Sequence, residues 1–144
     1  MAFAEMMKSL MMWTILLTGY ADPGGYPDIN YVPAAQLNHM ICPSAPKGCG
    51  ILGVYHNGKI YLDEEQDLSE SIYARSILVH EITHWLQDLN NDYNSFGRLA
   101  CEQANQREVE AYGVQNAYLR QAEKSGIMVR NQAPMCTRWF TITL

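Results

Sequence analysis

Basic residues are scarce in this chain: ten Lys and Arg stand against fifteen Asp and Glu, for a net charge of −5. The ten are scattered, whereas a nucleic-acid partner needs clustered cations to neutralise phosphates, so nucleic acid is excluded as the main partner. Long apolar runs are also missing. The best, Leu10 to Leu17, is too short to span a bilayer, and no membrane partner is expected. It follows Lys8 and could pass for a signal-peptide core, but Glu5 precedes it and no small-x-small cleavage site follows cleanly. The four cysteines include no C-x-x-C pair, which excludes the commonest structural zinc spacing. There is no internal repeat, no low-complexity tract and no sign of a second domain. After His84 there is no further histidine.

What is present describes one globular unit. A chain of 144 residues, 48% apolar and 17% charged, can bury a single real core, and residues 1–144 read as one domain. Phe3, Met6, Met7, Leu10, Trp13 and Leu17 recur at helical spacing, predicting an amphipathic helix over 3–19 stopped by Gly19. Residues 28–32 read as a short strand and 34–40 as a turn or two of helix. Residues 50–55 and 59–63 are apolar runs joined through Asn57-Gly58, the strongest short hairpin signal. A helix is expected from about 70 to 89, capped by Ser69 and packed through Ile72, Leu78, Ile82, Trp85 and Leu89. A second long helix covers roughly 99–123, ending at Gly126, and residues 139–144 read as a closing strand. The fold class is therefore α+β.

Cys42 and Cys49 bracket a loop with two prolines and a glycine, and a disulfide closing it is expected, leaving Cys101 and Cys136 for a second bridge. Sequence alone does not choose among the three pairings of four cysteines. That cysteine usage favours a secreted or periplasmic location, with a reduced cytoplasm as the alternative.

The helix over 70–89 carries His80-Glu81-Ile82-Thr83-His84. Positions i and i+4 share a helix face, so two imidazoles can meet one metal ion. Glu81 is rotated by roughly 100° from His80, at the edge of such a site, where a base can take a proton from a metal-bound water. Zinc needs a third protein ligand and an open position. With no later histidine, the candidates are Asp88, Asp92, Cys101, Glu102, Glu108, Glu110, Glu123 and Cys136. Glu110 is preferred, because Ala111 and Gly113 beside it would allow close helix approach and Val114 and Ala117 on its face can pack inward. Glu102, nearly in line with it, is the runner-up. Glu108 lies about 200° round the helix from Glu110 and is read as solvated.

With Glu110-Ala111 on the following helix, the H-E-I-T-H segment resembles the gluzincin branch of zinc metallopeptidases, in particular its minimal members. The resemblance covers roughly residues 50–123 and is specific at His80, Glu81, His84 and Glu110. It implies a zincin-like fold: a short antiparallel sheet packed on an active-site helix and a following ligand-bearing helix, here with an additional N-terminal helix. It also implies one Zn²⁺ per chain held by His80, His84 and Glu110, and a peptide or protein substrate. The implied reaction is peptide-bond hydrolysis in which Glu81 activates the zinc-bound water, with the substrate added as a strand along the 50–55 or the 59–63 edge. An alternative keeps the fold and metal in a regulatory or binding protein with very narrow or no proteolysis; a structural domain with a chance motif is a third reading. One departure is Val114, where some gluzincins carry an acidic residue that orients a ligating histidine. Its substitute is sought in Asp88, Asn116 or a backbone carbonyl. None of the nine tyrosines is singled out as a donor to the reacting carbonyl, although Tyr93 could reach the cleft mouth.

Overall fold

The computed structural model describes residues 2–45, 48–90 and 97–131. Among these the chain forms four helices and a small three-stranded mixed sheet, an α+β arrangement. The elements run α1 (Phe3–Thr18), β1 (Asp28–Val32), α2 (Ala34–Ile41), β2 (Gly53–His56), β3 (Lys59–Asp63), α3 (Ile72–Asn90) and α4 (Gly97–Gln121). The expected strand over 139–144 lies outside the described residues.

The apolar stripe of α1 buries Met6, Met7, Leu10 and Met11, while Phe3, expected on the same face, stays half exposed. Thr14 is buried in that stripe without an unpaired hydroxyl, since its Oγ1–H donates to the Leu10 carbonyl at 2.6 Å. Gly19 then takes φ +75°, and its N–H closes the helix on Ile15 O at 2.9 Å.

The sheet order is β1-β3-β2, with β1 parallel to β3 and β2 antiparallel to it. Asn57 and Gly58 both adopt positive φ, 51° and 79°, as a two-residue hairpin turn twisted to suit its strands requires. Strand β3 is central, so of the two runs read as a possible open edge only β2 lies at the rim. Ile60 and Leu62 point from β3 into the core, as alternation dictates. At Gly53 a Cβ would meet Ile77 Cγ2 at 2.9 Å and Leu62 Cδ2 at 3.0 Å; the missing side chain is what lets β2 lie this close to α3.

Helix α3 is the centre of the molecule. From Leu78 to His84 every residue is buried, because β2 and β3, α1 and α4 all pack on it. It begins at Ile72, not at 70: Ser71 Oγ accepts the Ala74 N–H at 3.0 Å and is the cap. Ser69, expected in that role, instead donates its N–H and O–H to Asp67. Leu89, expected to pack, is exposed, and Leu86 is fully buried in its place. Helix α4 ends at Gln121, before the expected glycine. Lys124 takes φ 54° while the Ser125 N–H reaches back six residues to Leu119 O at 2.9 Å, a closure that satisfies an end carbonyl without Gly126. Arg75 of α3 pairs with Glu123 just beyond that end, and Asn116 clamps Val129 through two hydrogen bonds of 2.8 and 2.7 Å, laying the following segment back on α4.

Cys42 and Cys49 lie at disulfide distance. Cys101 is also disulfide-bonded, but the expected bridge to Cys136 lies outside the described residues. No helix among the described residues is long and apolar enough to cross a membrane.

Ile82 is fully buried between the two histidines in sequence and packs into the main cluster. Ile82→Ala is expected to lower stability by about 2–5 kcal/mol, the range for deleting buried methyl groups. Urea unfolding measures it; a loss below ~0.5 kcal/mol, typical of surface positions, would contradict this core.

Candidate metal centre

Two turns of α3 and one of α4 build the site. His80 and His84 project from one face of α3, as their spacing predicts, with their Nε2 atoms 3.2 Å apart. Across from them stands a carboxylate of α4, and it is that of Glu108. Its Oε1 lies 2.6 Å from His84 Nε2 and its Oε2 3.3 Å from His80 Nε2. Glu81, buried at the side, completes a His80–Glu81–His84 group whose ligand atoms all fall within 4.8 Å and could hold a metal ion.

The preferred third ligand is therefore displaced. Glu110 points away from the imidazoles: its Oε1 accepts the Tyr20 O–H at 2.6 Å and a Gln87 Nε2–H at 2.9 Å. Glu102, the runner-up, lies partly buried on α4. The reason for the displacement is helix register. The buried positions Ala111, Gln115 and Tyr118 continue the stripe that starts at Glu108, so this arc of α4 faces α3. Gly113, used as a sign of close approach, is on the solvent side. The cue available in sequence was Gln115, a polar residue in an otherwise apolar stripe at i+7 from Glu108.

The partners of the histidines are carboxamides, which sequence reasoning missed. His80 Nδ1 lies 3.0 Å from Gln115 Oε1, and His84 Nδ1 lies 2.8 Å from Gln87 Oε1. An amide oxygen only accepts, so each Nδ1 carries a proton, and in the neutral ring it is Nε2 that presents the lone pair. Of the expected partners, Asp88 pairs with Arg107 at 2.7 Å, and Asn116 is occupied by Val129. Tyr112, one turn after Glu108, sets its ring edge-on to His80 with centroids 4.5 Å apart. Tyr55 of β2 lies beside His84, centroids 6.5 Å apart; Tyr93 lies outside the described residues.

The residues fit a cation on three observations. Two imidazole lone pairs and a carboxylate converge on one spot. Both imidazole tautomers are set for ligation. Glu81 Oε2 is buried with no hydrogen-bond partner, an uncompensated acceptor beside that spot. The electrostatics agree. Burial raises the Glu81 carboxyl above its usual range against the pull of both histidines, and the charge of Glu108 adds to the rise. Burial opposes charge on His84 too, yet its hydrogen bond to Glu108 and the neighbouring carboxylates raise it overall. Burial would likewise raise Glu108, but hydrogen bonds and charge from His80 and His84 pull it far below the ordinary carboxylate range.

A cleft opens on either side. One, of about 180 Å³, is lined by Gly50 to Gly53, Tyr73, Ile77, His80, Glu81 and Tyr112. The other, of about 330 Å³, lies against Tyr55, His56, His84, Arg107 and Glu108. Neither a protein-family model, a curated protein nor a solved structure matches this chain.

Two outcomes are expected. Glu108→Ala should weaken divalent-metal uptake ~100-fold or more, beyond the usual cost of losing an outer partner, as read by competition with a chromophoric chelator; unchanged uptake would remove Glu108 from the site. In chelator-treated protein, His84 and Glu81 have folded values raised above their unfolded ones, so the stability they confer is lost as pH rises. Glu108 has a lowered value, so its contribution is present above ~4.5 and is lost only as pH falls through the folded value. Urea midpoints should therefore decline as pH rises past the ordinary His value of about 6.5, and a rising profile there would contradict the pairing.

Proposed function

We propose that this chain is a small zinc-dependent peptidase with a zincin-like fold, of the kind the gluzincin resemblance implies, with Glu108 in the ligand place expected of Glu110. The observation that carries the reading is Glu81: a buried carboxyl with one partnerless oxygen, beside two imidazoles and a third anionic group. Two imidazoles and one carboxylate are the donor set of catalytic zinc, which leaves a coordination position open. His80, His84 and Glu108 would hold the ion. When bound, it supplies Lewis acidity, easing proton loss from water and polarising a carbonyl.

The protein's own groups do the rest. Gln87 and Gln115 hold a proton on each Nδ1 and fix the rings in orientation, so that Nε2 is the nitrogen turned toward the ion. Glu81, with its affinity for protons raised by burial, takes a proton from the attacking water and returns it to the leaving nitrogen, so the carboxylate is regenerated at the end of the cycle. Strand β2 is at the sheet rim, and the Gly50–Gly53 stretch leading into it walls the cleft that contains His80 and Glu81. A peptide laid along that rim as an added strand would bring its backbone carbonyls past Glu81. Cys42–Cys49 supports a secreted or periplasmic setting for this activity.

Glu81→Gln keeps the shape of the side chain and removes the base. Its kcat on an unstructured protein substrate should fall by ~10²–10⁴-fold with zinc content per chain unchanged. Retention of full activity would refute the role. Stoichiometric zinc with no hydrolysis by the wild type would turn the reading to a binding or regulatory protein on the same fold.

A further inference from the structure

From the hydrogen bonds around Gln87 we infer that Glu110 is a positioning residue: together with Arg107 it fixes which end of the Gln87 carboxamide faces His84, and so which imidazole nitrogen is left for metal. This rests on the metal centre proposed above. Gln87 is fully buried, and each of its polar atoms meets a group that can play only one part. Glu110 Oε1, a carboxylate oxygen, accepts from Gln87 Nε2 at 2.9 Å, and the Arg107 carbonyl accepts from the same nitrogen at 3.0 Å. The Arg107 guanidinium, which can only donate, meets Gln87 Oε1 at 3.0 Å. The remaining lone pair of Oε1 faces His84 Nδ1 at 2.8 Å. A flipped amide would set its oxygen against two acceptors and its NH₂ against a donor, inside a buried site where no water relieves the mismatch.

Glu110 has a support of its own. Tyr20, just past the C-cap of α1, donates its hydroxyl to the same Oε1 at 2.6 Å. A chain of donors and acceptors thus runs from the end of α1 through Glu110 and Gln87 to the second histidine. His80 is locked in the same sense by neutral groups. Gln115 Nε2 donates to Ser76 Oγ at 3.1 Å, and that hydroxyl has spent its hydrogen on the Tyr73 carbonyl at 2.7 Å. Only the His84 branch ends on a charged acceptor. That difference makes the His84 branch testable by exchanging an acid and an amide.

The experiment uses the whole chain and zinc alone as probe, with affinity read by chelator competition and folding checked by thermal unfolding. Glu110→Gln should weaken zinc binding by ~10–100-fold, the usual cost of an outer partner, because an amide at 110 can turn its NH₂ as well as its oxygen toward Gln87 and leaves the orientation to Arg107 alone. Gln87→Glu should also weaken it, by setting two carboxylates against each other. The double variant relieves that repulsion: the new amide at 110 donates to the new carboxylate at 87, which still accepts the His84 Nδ1–H and the Arg107 guanidinium N–H, although the Arg107 carbonyl loses its donor. It should bind zinc at least ~10-fold more tightly than Gln87→Glu alone. The Nδ1–H resonance of His84 in zinc-loaded protein should be protected from exchange in wild type and in both variants with a carboxylate at 87, where an oxygen still accepts it, and less protected in Glu110→Gln. Unchanged affinity in Glu110→Gln, or losses that simply add in the double variant, would overturn the role while leaving the metal centre intact. A wild type that takes up no zinc would instead sink the centre itself, before any variant is compared. Where Glu110→Gln fails to fold, the comparison of Gln87→Glu with the double variant decides.

Discussion

Two imidazole lone pairs and a carboxylate brought within hydrogen-bonding distance of one another repel unless positive charge lies among them. That constraint governs the middle of this protein. The crossing of α3 and α4 supplies the geometry, and the remaining elements make the crossing hold. Met6, Met7, Leu10 and Met11 of α1 and Ile60 and Leu62 of β3 cover the apolar flanks of α3. The polar side toward α4 is then where His80, Glu81 and His84 gather inside the fold. Removing one member of such a set leaves the others buried and unmatched, which costs more than the intact set contributes.

Buried polarity at the crossing is matched by amides on one side and charges on the other. Gln87 and Gln115 are both almost wholly buried, and each spends its NH₂ and its carbonyl on different partners. A neutral carboxamide pulls less on the imidazole Nδ1–H than a carboxylate would, so the Nε2 that would face a metal is left less electron-rich. The charge kept close to the centre is confined to Glu81 and Glu108, and Arg107 with Asp88 forms an ion pair at its margin.

Much of this was legible in the chain. The pair at i and i+4, the Asn57-Gly58 turn and the α1 stripe are local patterns, decided by periods of 3.6 and 2. The exchange of Glu110 for Glu108 marks where local pattern stops. Both lie in mid-helix, and which of two arcs some 200° apart turns inward is settled by the partner helix, not by the helix itself. Ala111 suggested closeness correctly, since it is fully buried, but it shares its stripe with Glu108 at i+3 and not with Glu110. Gly113 misled because smallness reads equally well as contact or as exposure. The start of α3 shows the same limit at shorter range: Ser69 and Ser71 are equal candidates by type, and Asp67 decided between them by claiming the first. The parallel pairing of β1 on β3 joins residues some thirty positions apart, beyond any local period.

The Cys42–Cys49 bridge bears on the site more directly than its place in a surface loop suggests. The segment leaving Cys49 walls the cleft containing His80 and Glu81 and then becomes β2. Its beginning is tied twice to α2, by the bridge and by the Cys49 N–H on Asn38 Oδ1 at 3.1 Å. With the bridge reduced, that hydrogen bond alone would tether the wall, and the short stretch before Gly53 would swing with it. One side of the cleft thus takes its position from the redox poise of the surroundings, through a covalent bond that touches neither histidine.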